Sequence, residues 1–119
     1  MRVQADEARG RPAAENEQAL RGAATRGRTA QVRVLLAAGT DPGAADEYGQ
    51  TALHWAAKWG REEAVGALAE GGADLDKADK YGGTPLMDAA YNGHRGVARR
   101  LLELGADHTA VATRWRWKG

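Results

Sequence analysis

Apolar residues along this chain fall at helical spacing, in short stripes separated by glycine. Leu53, Ala56 and Ala57 stand at i, i+3 and i+4, which places them on one helix face. Val65 and Leu68, and further on Val97, Leu101 and the adjoining Leu102, mark a second kind of stripe. Gly60 and Gly93 separate the two stripes of each pair, and Gly72 and Gly105 follow the second as C′ residues. Thr51 and Thr84 occupy N-cap positions, and Pro85 suits the first helical position. The pattern predicts helix pairs near 17–26 and 28–38, 51–59 and 61–71, and 84–92 and 94–104. Asp46-x-x-Gly49 and Asp79-x-x-Gly82 predict tight turns, in which Asp bonds nearby backbone N–H groups and Gly takes a positive φ.

These elements repeat with an offset of 33 residues. Asp46-Glu47-Tyr48-Gly49-Gln50-Thr51-Ala52-Leu53 returns as Asp79-Lys80-Tyr81-Gly82-Gly83-Thr84-Pro85-Leu86. Ala56-Ala57 matches Ala89-Ala90, Leu68 matches Leu101, and Gly72-Ala73-Asp74 matches Gly105-Ala106-Asp107. A worn copy precedes them, with Ala19-Leu20, Ala23-Ala24, Gly27, Val32, Leu35 and Gly39 in register. The predicted organisation is an extension at 1–12, three units at 13–45, 46–78 and 79–111, and a tail at 112–119.

Thr84-Pro85-Leu86 and Thr51-Ala52-Leu53-His54, each followed by an Ala pair, and the Gly-Ala-Asp endings resemble the ankyrin repeat. The resemblance covers about five-sixths of the chain. It implies an all-α solenoid of helix-turn-helix units joined by β-turn fingers. It also implies that the turn tips and the exposed side of each first helix form one concave, partner-binding surface, and that His54 hydrogen-bonds between neighbouring turns. The chain departs from the family pattern in three places. The first unit lacks Asp, Gly, Thr and His at the turn positions, as a capping repeat does. Met87 replaces the signature His in the third unit, so the bond that His supplies is missing there. Ala112-Thr113-Arg114-Trp115 has neither Asp nor Gly to start another turn.

Composition agrees with helices and small interiors. The chain has 26 Ala and 10 Leu but no Ile or Phe, and Leu, Ile, Val and Phe make up only 16 of 119 residues. Disorder would also need a large net charge, and here it is +1. The absence of Cys excludes disulfides, thiolate zinc sites and thiol nucleophiles, and fits a reducing compartment. The charged N-terminal residues are no signal peptide, and no run is long and apolar enough to span a membrane. The expected location is intracellular, in the cytoplasm, the nucleus or both.

His54, His94 and His108 occupy different repeat positions, so they do not form a ligand set or a catalytic group. No nucleophile triad or phosphate loop is present. The expectation is therefore a non-enzymatic protein with no metal and no cofactor. The aromatics carry more information. A helical wheel turns Trp55, Lys58 and Trp59 away from the core face, with Asp88, Tyr91 and Asn92 in the same place one unit on. Tyr48 and Tyr81 sit at the turn tips. Tyr and Trp dominate interface hot spots. The candidate partner-binding residues are Glu47, Tyr48, Gln50, Trp55, Lys58, Trp59, Lys80, Tyr81, Tyr91 and Asn92. For Trp55, packing against neighbouring repeats is an equal alternative. A mixed-sign rim suits a protein partner, and nucleic acid is not the expected one. The chain is expected to act as a monomer. Arg95 and Arg100 fall where a following repeat would pack, and there they would make the end face soluble. Two other functions remain open. The tail Arg114-Trp115-Arg116-Trp117-Lys118 could contact an anionic membrane surface or nucleic acid, or the repeats could be a structural fragment of a longer ankyrin protein.

Overall fold

The computed structural model describes residues 10–109. Six helices are present among them, and no strand: α1 (Ala13–Arg26), α2 (Thr29–Ala37), α3 (Ala52–Lys58), α4 (Glu62–Glu70), α5 (Pro85–Tyr91) and α6 (Arg95–Glu103). They alternate between two rows. α1, α3 and α5 pack side by side in the first, and α2, α4 and α6 in the second. Each first helix also packs on the second helix of its own pair, giving an all-α stack.

The predicted helices appear within a residue or two of their expected bounds, with one difference. α1 starts at Ala13 rather than near residue 17. Ala13-Ala14-Glu15-Asn16-Glu17 has no Asp-x-x-Gly turn to stop it, and Pro12 at the N-cap lets the helix begin at once. α3 and α5 start where their threonines cap them. The Thr51 hydroxyl accepts from the His54 backbone N–H at 3.4 Å, and the Thr84 hydroxyl accepts from the Met87 N–H at 3.3 Å.

The interior repeats as the sequence does. Leu20, Leu53 and Leu86 form one buried row, and Leu35, Leu68 and Leu101 another. Between the helices of a pair lie Ala23, Ala24, Ala56, Ala57 and Ala89, all buried. Their single methyl groups bring backbones close, which explains a core built without Ile or Phe.

The two turns are near copies. Asp46 Oδ1 accepts from Tyr48 N–H and Gln50 N–H at 2.9 and 3.0 Å, and Asp79 Oδ1 accepts from Tyr81 N–H and Gly83 N–H at 2.9 and 2.8 Å. Gly82 holds φ 79°, the left-handed conformation that the turn requires, whereas Gly83 has none. Neighbouring turns are tied together by Lys80 N–H donating to Tyr48 carbonyl at 3.0 Å.

Candidate functional site

Trp55 shows how the turns are fastened to the first helices. Its indole N–H donates to Asp46 Oδ2 at 3.2 Å, and the Lys58 ammonium lies 4.4 Å from its ring centroid. Lys58 Nζ also donates to Gln50 Oε1 at 3.2 Å, and Gln50 Nε2 donates onward to Asp79 Oδ2 at 3.2 Å. Three candidate residues, Gln50, Trp55 and Lys58, thus form one network across two turns and α3. For both turn aspartates, burial pushes the carboxyl up but donated hydrogen bonds outweigh it. Gln50 N–H, Tyr48 N–H and the Trp55 indole hold Asp46 below the ordinary value. Gly83 N–H, the Gln50 amide and Tyr81 N–H do the same for Asp79.

The remaining candidates point outward. Tyr48, Trp59, Tyr81 and Tyr91 are 50, 53, 70 and 81 % exposed, and all four lie on the turns or at the ends of first helices. No second helix among the described residues carries an exposed aromatic. Glu47 and Lys80 are exposed beside the two turn tyrosines. Asn92, also exposed, closes α5 by donating its side-chain N–H to Asp88 carbonyl at 2.8 Å. The structure therefore puts all ten predicted residues on the turn and first-helix face, seven of them outside the scaffold network.

Asp88 lies on this same face. It is the counterpart of Trp55 one repeat on, and it is half-buried. Burial pushes its carboxyl up to about 6; Lys58 opposes the rise and Asp79 adds to it. Its Oδ2 is enclosed and has no hydrogen-bond partner.

Two of the histidines join neighbouring repeats. His54 is buried, and its Nδ1 accepts from Thr51 N–H at 3.1 Å. The ring proton is therefore on Nε2, which donates to Gly83 carbonyl at 3.0 Å. This is the bond between neighbouring turns that the resemblance implied. Burial holds the imidazole below its ordinary value. His94 Nε2 donates to Lys58 carbonyl at 2.9 Å, and Arg61, 33 residues earlier, donates from Nε to Thr25 carbonyl at 2.9 Å. Sequence reasoning missed this pairing, whose only signal was a basic side chain at one repeat position. No group of three or more His, Asp or Glu able to hold a metal occurs among the described residues.

The second helices form a charged groove lined by Arg33, Glu62, Glu63, Glu70, Arg100 and Glu103. Arg100 corrects an expectation. Its guanidinium packs back over Gly66 of α4, so it does not cover the end of the stack. Arg95 is exposed. No helix among the described residues is long and apolar enough to cross a membrane, and the 112–119 tail lies outside them.

The family model for ankyrin repeats matches three copies over residues 20–112, and the chain belongs to that family. Ankyrin repeats are generally protein–protein interaction modules, and the family is generally non-enzymatic. No curated protein matches the chain.

Proposed function

We propose that the face built from the turns and first helices binds a protein partner, with Tyr48, Trp59, Tyr81 and Tyr91 as its anchors. The observation that carries this reading is the segregation of the four exposed aromatics among the described residues onto one face, while the opposite groove is lined by charge. Glu47, Lys80 and Asn92 supply a polar rim. Gln50, Trp55 and Lys58 hold the platform rigid, so little ordering entropy is lost on binding. The chain acts as a non-enzymatic monomer inside the cell, in the cytoplasm or nucleus, without cofactor or metal. Residues 13–45, 46–78 and 79–111 are its structural units.

The test begins with affinity capture from lysate, comparing the wild type with a variant in which the four anchors are alanine. A paired scan by calorimetry and thermal melts then follows with the captured partner. Trp59→Ala and Tyr81→Ala each lose about 2 kcal/mol of affinity with melting unchanged. Glu63→Ala and Arg99→Ala on the second helices lose less than about 0.5 kcal/mol. The reverse pattern would move the site to the second helices. Loss only on removal of residues 112–119 would assign it to the tail.

A further inference from the structure

The exposed rings recur with the repeats. Tyr48 and Tyr81 hold the same place in two near-identical turns that are bonded to each other. Trp59 directly follows α3 and Tyr91 ends α5, so a second pair stands at the far end of the first helices. Helices packed side by side, as α3 and α5 are, lie about 8–10 Å apart, and this is the step from one ring of a pair to the next. A segment laid along the stack must repeat its inward side chains at that step. A polyproline II segment does so at every third residue, about 9 Å. Strand residues on one side recur at about 7 Å and fall out of step.

Other modes of docking lack what they need. No strand among the described residues offers an edge, and the turn N–H groups of Tyr48, Gln50, Tyr81 and Gly83 already donate to Asp46 and Asp79. A partner helix needs a continuous apolar floor, whereas Gln50, Lys58 and Asp88 share this face with the rings. The charges there oppose one another, Glu47 with Lys80 and Asp88 with Lys58, and residues 46–60 and 79–93 contain no Arg. A strongly acidic or basic segment would meet its own sign beside the opposite one.

We propose that the partner of this face presents a proline-rich segment in the polyproline II conformation, laid along the stack with prolines on Tyr48 and Tyr81. This rests on the reading of the turn and first-helix face as the binding surface, and names the kind of protein segment it takes. Proline rings lie flat on tyrosine and tryptophan rings and bury apolar area there. The phenol and indole groups at the ring edges donate to carbonyls, which a polyproline II backbone leaves without internal partners. Trp59 and Tyr91 border the segment on the side of the helix ends. Little order is imposed on either party. The segment is stiff before it binds, and the Gln50, Trp55 and Lys58 network holds the platform.

The probe is a displayed random peptide library selected on the full chain, followed by calorimetry with the selected peptides. Those peptides carry two prolines three residues apart, and replacing either with alanine weakens binding at least tenfold. Inserting one residue between the prolines breaks the step and does the same. Tyr48→Ala and Tyr81→Ala each weaken the parent peptide at least tenfold, and thermal melts confirm that both variants are folded. A consensus without that proline spacing, tolerance of the insertion, or no selected peptide at all would overturn the inference. So would proline-spaced peptides that ignore Tyr48 and Tyr81. If peptides of another consensus are still weakened by Trp59→Ala and Tyr81→Ala, the binding surface stands and only the proline-rich partner fails. Apolar residues at i, i+4 and i+7 in such peptides would make the occupant a helix instead. If the selected peptides ignore Tyr48, Trp59 and Tyr81 alike, both readings fail.

Discussion

Gly60 and Gly93 share one backbone conformation, φ 72° and 76°, yet a methyl group added to each would meet different surroundings. At Gly60 it would fall 2.7 Å from His94 Nδ1, whereas at Gly93 nothing lies within 4 Å. Both alanine variants suffer the same left-handed strain. Gly60→Ala must also displace the ring that bonds Lys58 carbonyl. It should therefore cost about 1–2 kcal/mol more than Gly93→Ala in urea unfolding, and equal losses would deny the contact its energetic weight. Asp88 offers a second test at this scale. Its carboxyl rises from 3.8 to about 6 on folding, so the folded chain holds the proton more tightly. Stability is lost as pH rises between those values, and above about 6 the full penalty applies. Asp88→Asn should stabilise the protein at pH 7.5 by about 1 kcal/mol, a figure discounted for the exposed part of the side chain. The gain should vanish near pH 4. A gain independent of pH would show that burial of the charge is not its cause.

At the scale of the element, the caps of α3 and α5 differ at their third helical residue. His54 completes a capping box with Thr51 and also reaches the next turn, whereas Met87 at the matching position leaves Thr84 to cap α5 alone. His54→Ala should cost about 2–3 kcal/mol, from a lost cap and a lost bond between buried groups. Thr51→Ala should cost more than Thr84→Ala for the same reason. Acid acts on the same cap. Nδ1 accepts a backbone N–H, so a second ring proton has no place to sit. Because the folded imidazole titrates below 6.5, stability is intact above 6.5 and falls as pH drops through the folded value. His54→Gln should remove that part of the acid sensitivity in pH-dependent melts. Much of this element was legible in the sequence, because Thr, Pro and Gly fix ends by their own local chemistry. The start of α1 was not, since only the absence of a turn motif marks it. Nor was the direction of Arg100. A 33-residue offset shows that two residues are equivalent without telling which neighbour either one reaches. The same gap hid the bonds of Arg61 and His94, and with them the difference between Gly60 and Gly93. The face of the candidate site was legible from the helical wheel, but the network holding Gln50, Trp55 and Lys58 depends on side chains meeting across repeats.

Over the whole molecule, stability is a sum along one axis. Among the described residues, α3 and α4 have helices packed on both sides, while the pairs at either end have helices on one side only. Amide exchange should be slowest in α3 and α4 and faster in α5 and α6, and uniform protection would mean that the stack opens only as a unit. The bonds of Arg61 and His94 add a direction to this axis. Each donor sits at the start of a second helix and reaches back to a carbonyl of the preceding repeat, Thr25 for one and Lys58 for the other. A chain made from its N-terminus therefore finds each acceptor already synthesised when the donor emerges. Successive repeats can dock in the order in which they are translated, and each new one lands on a surface that is already complete.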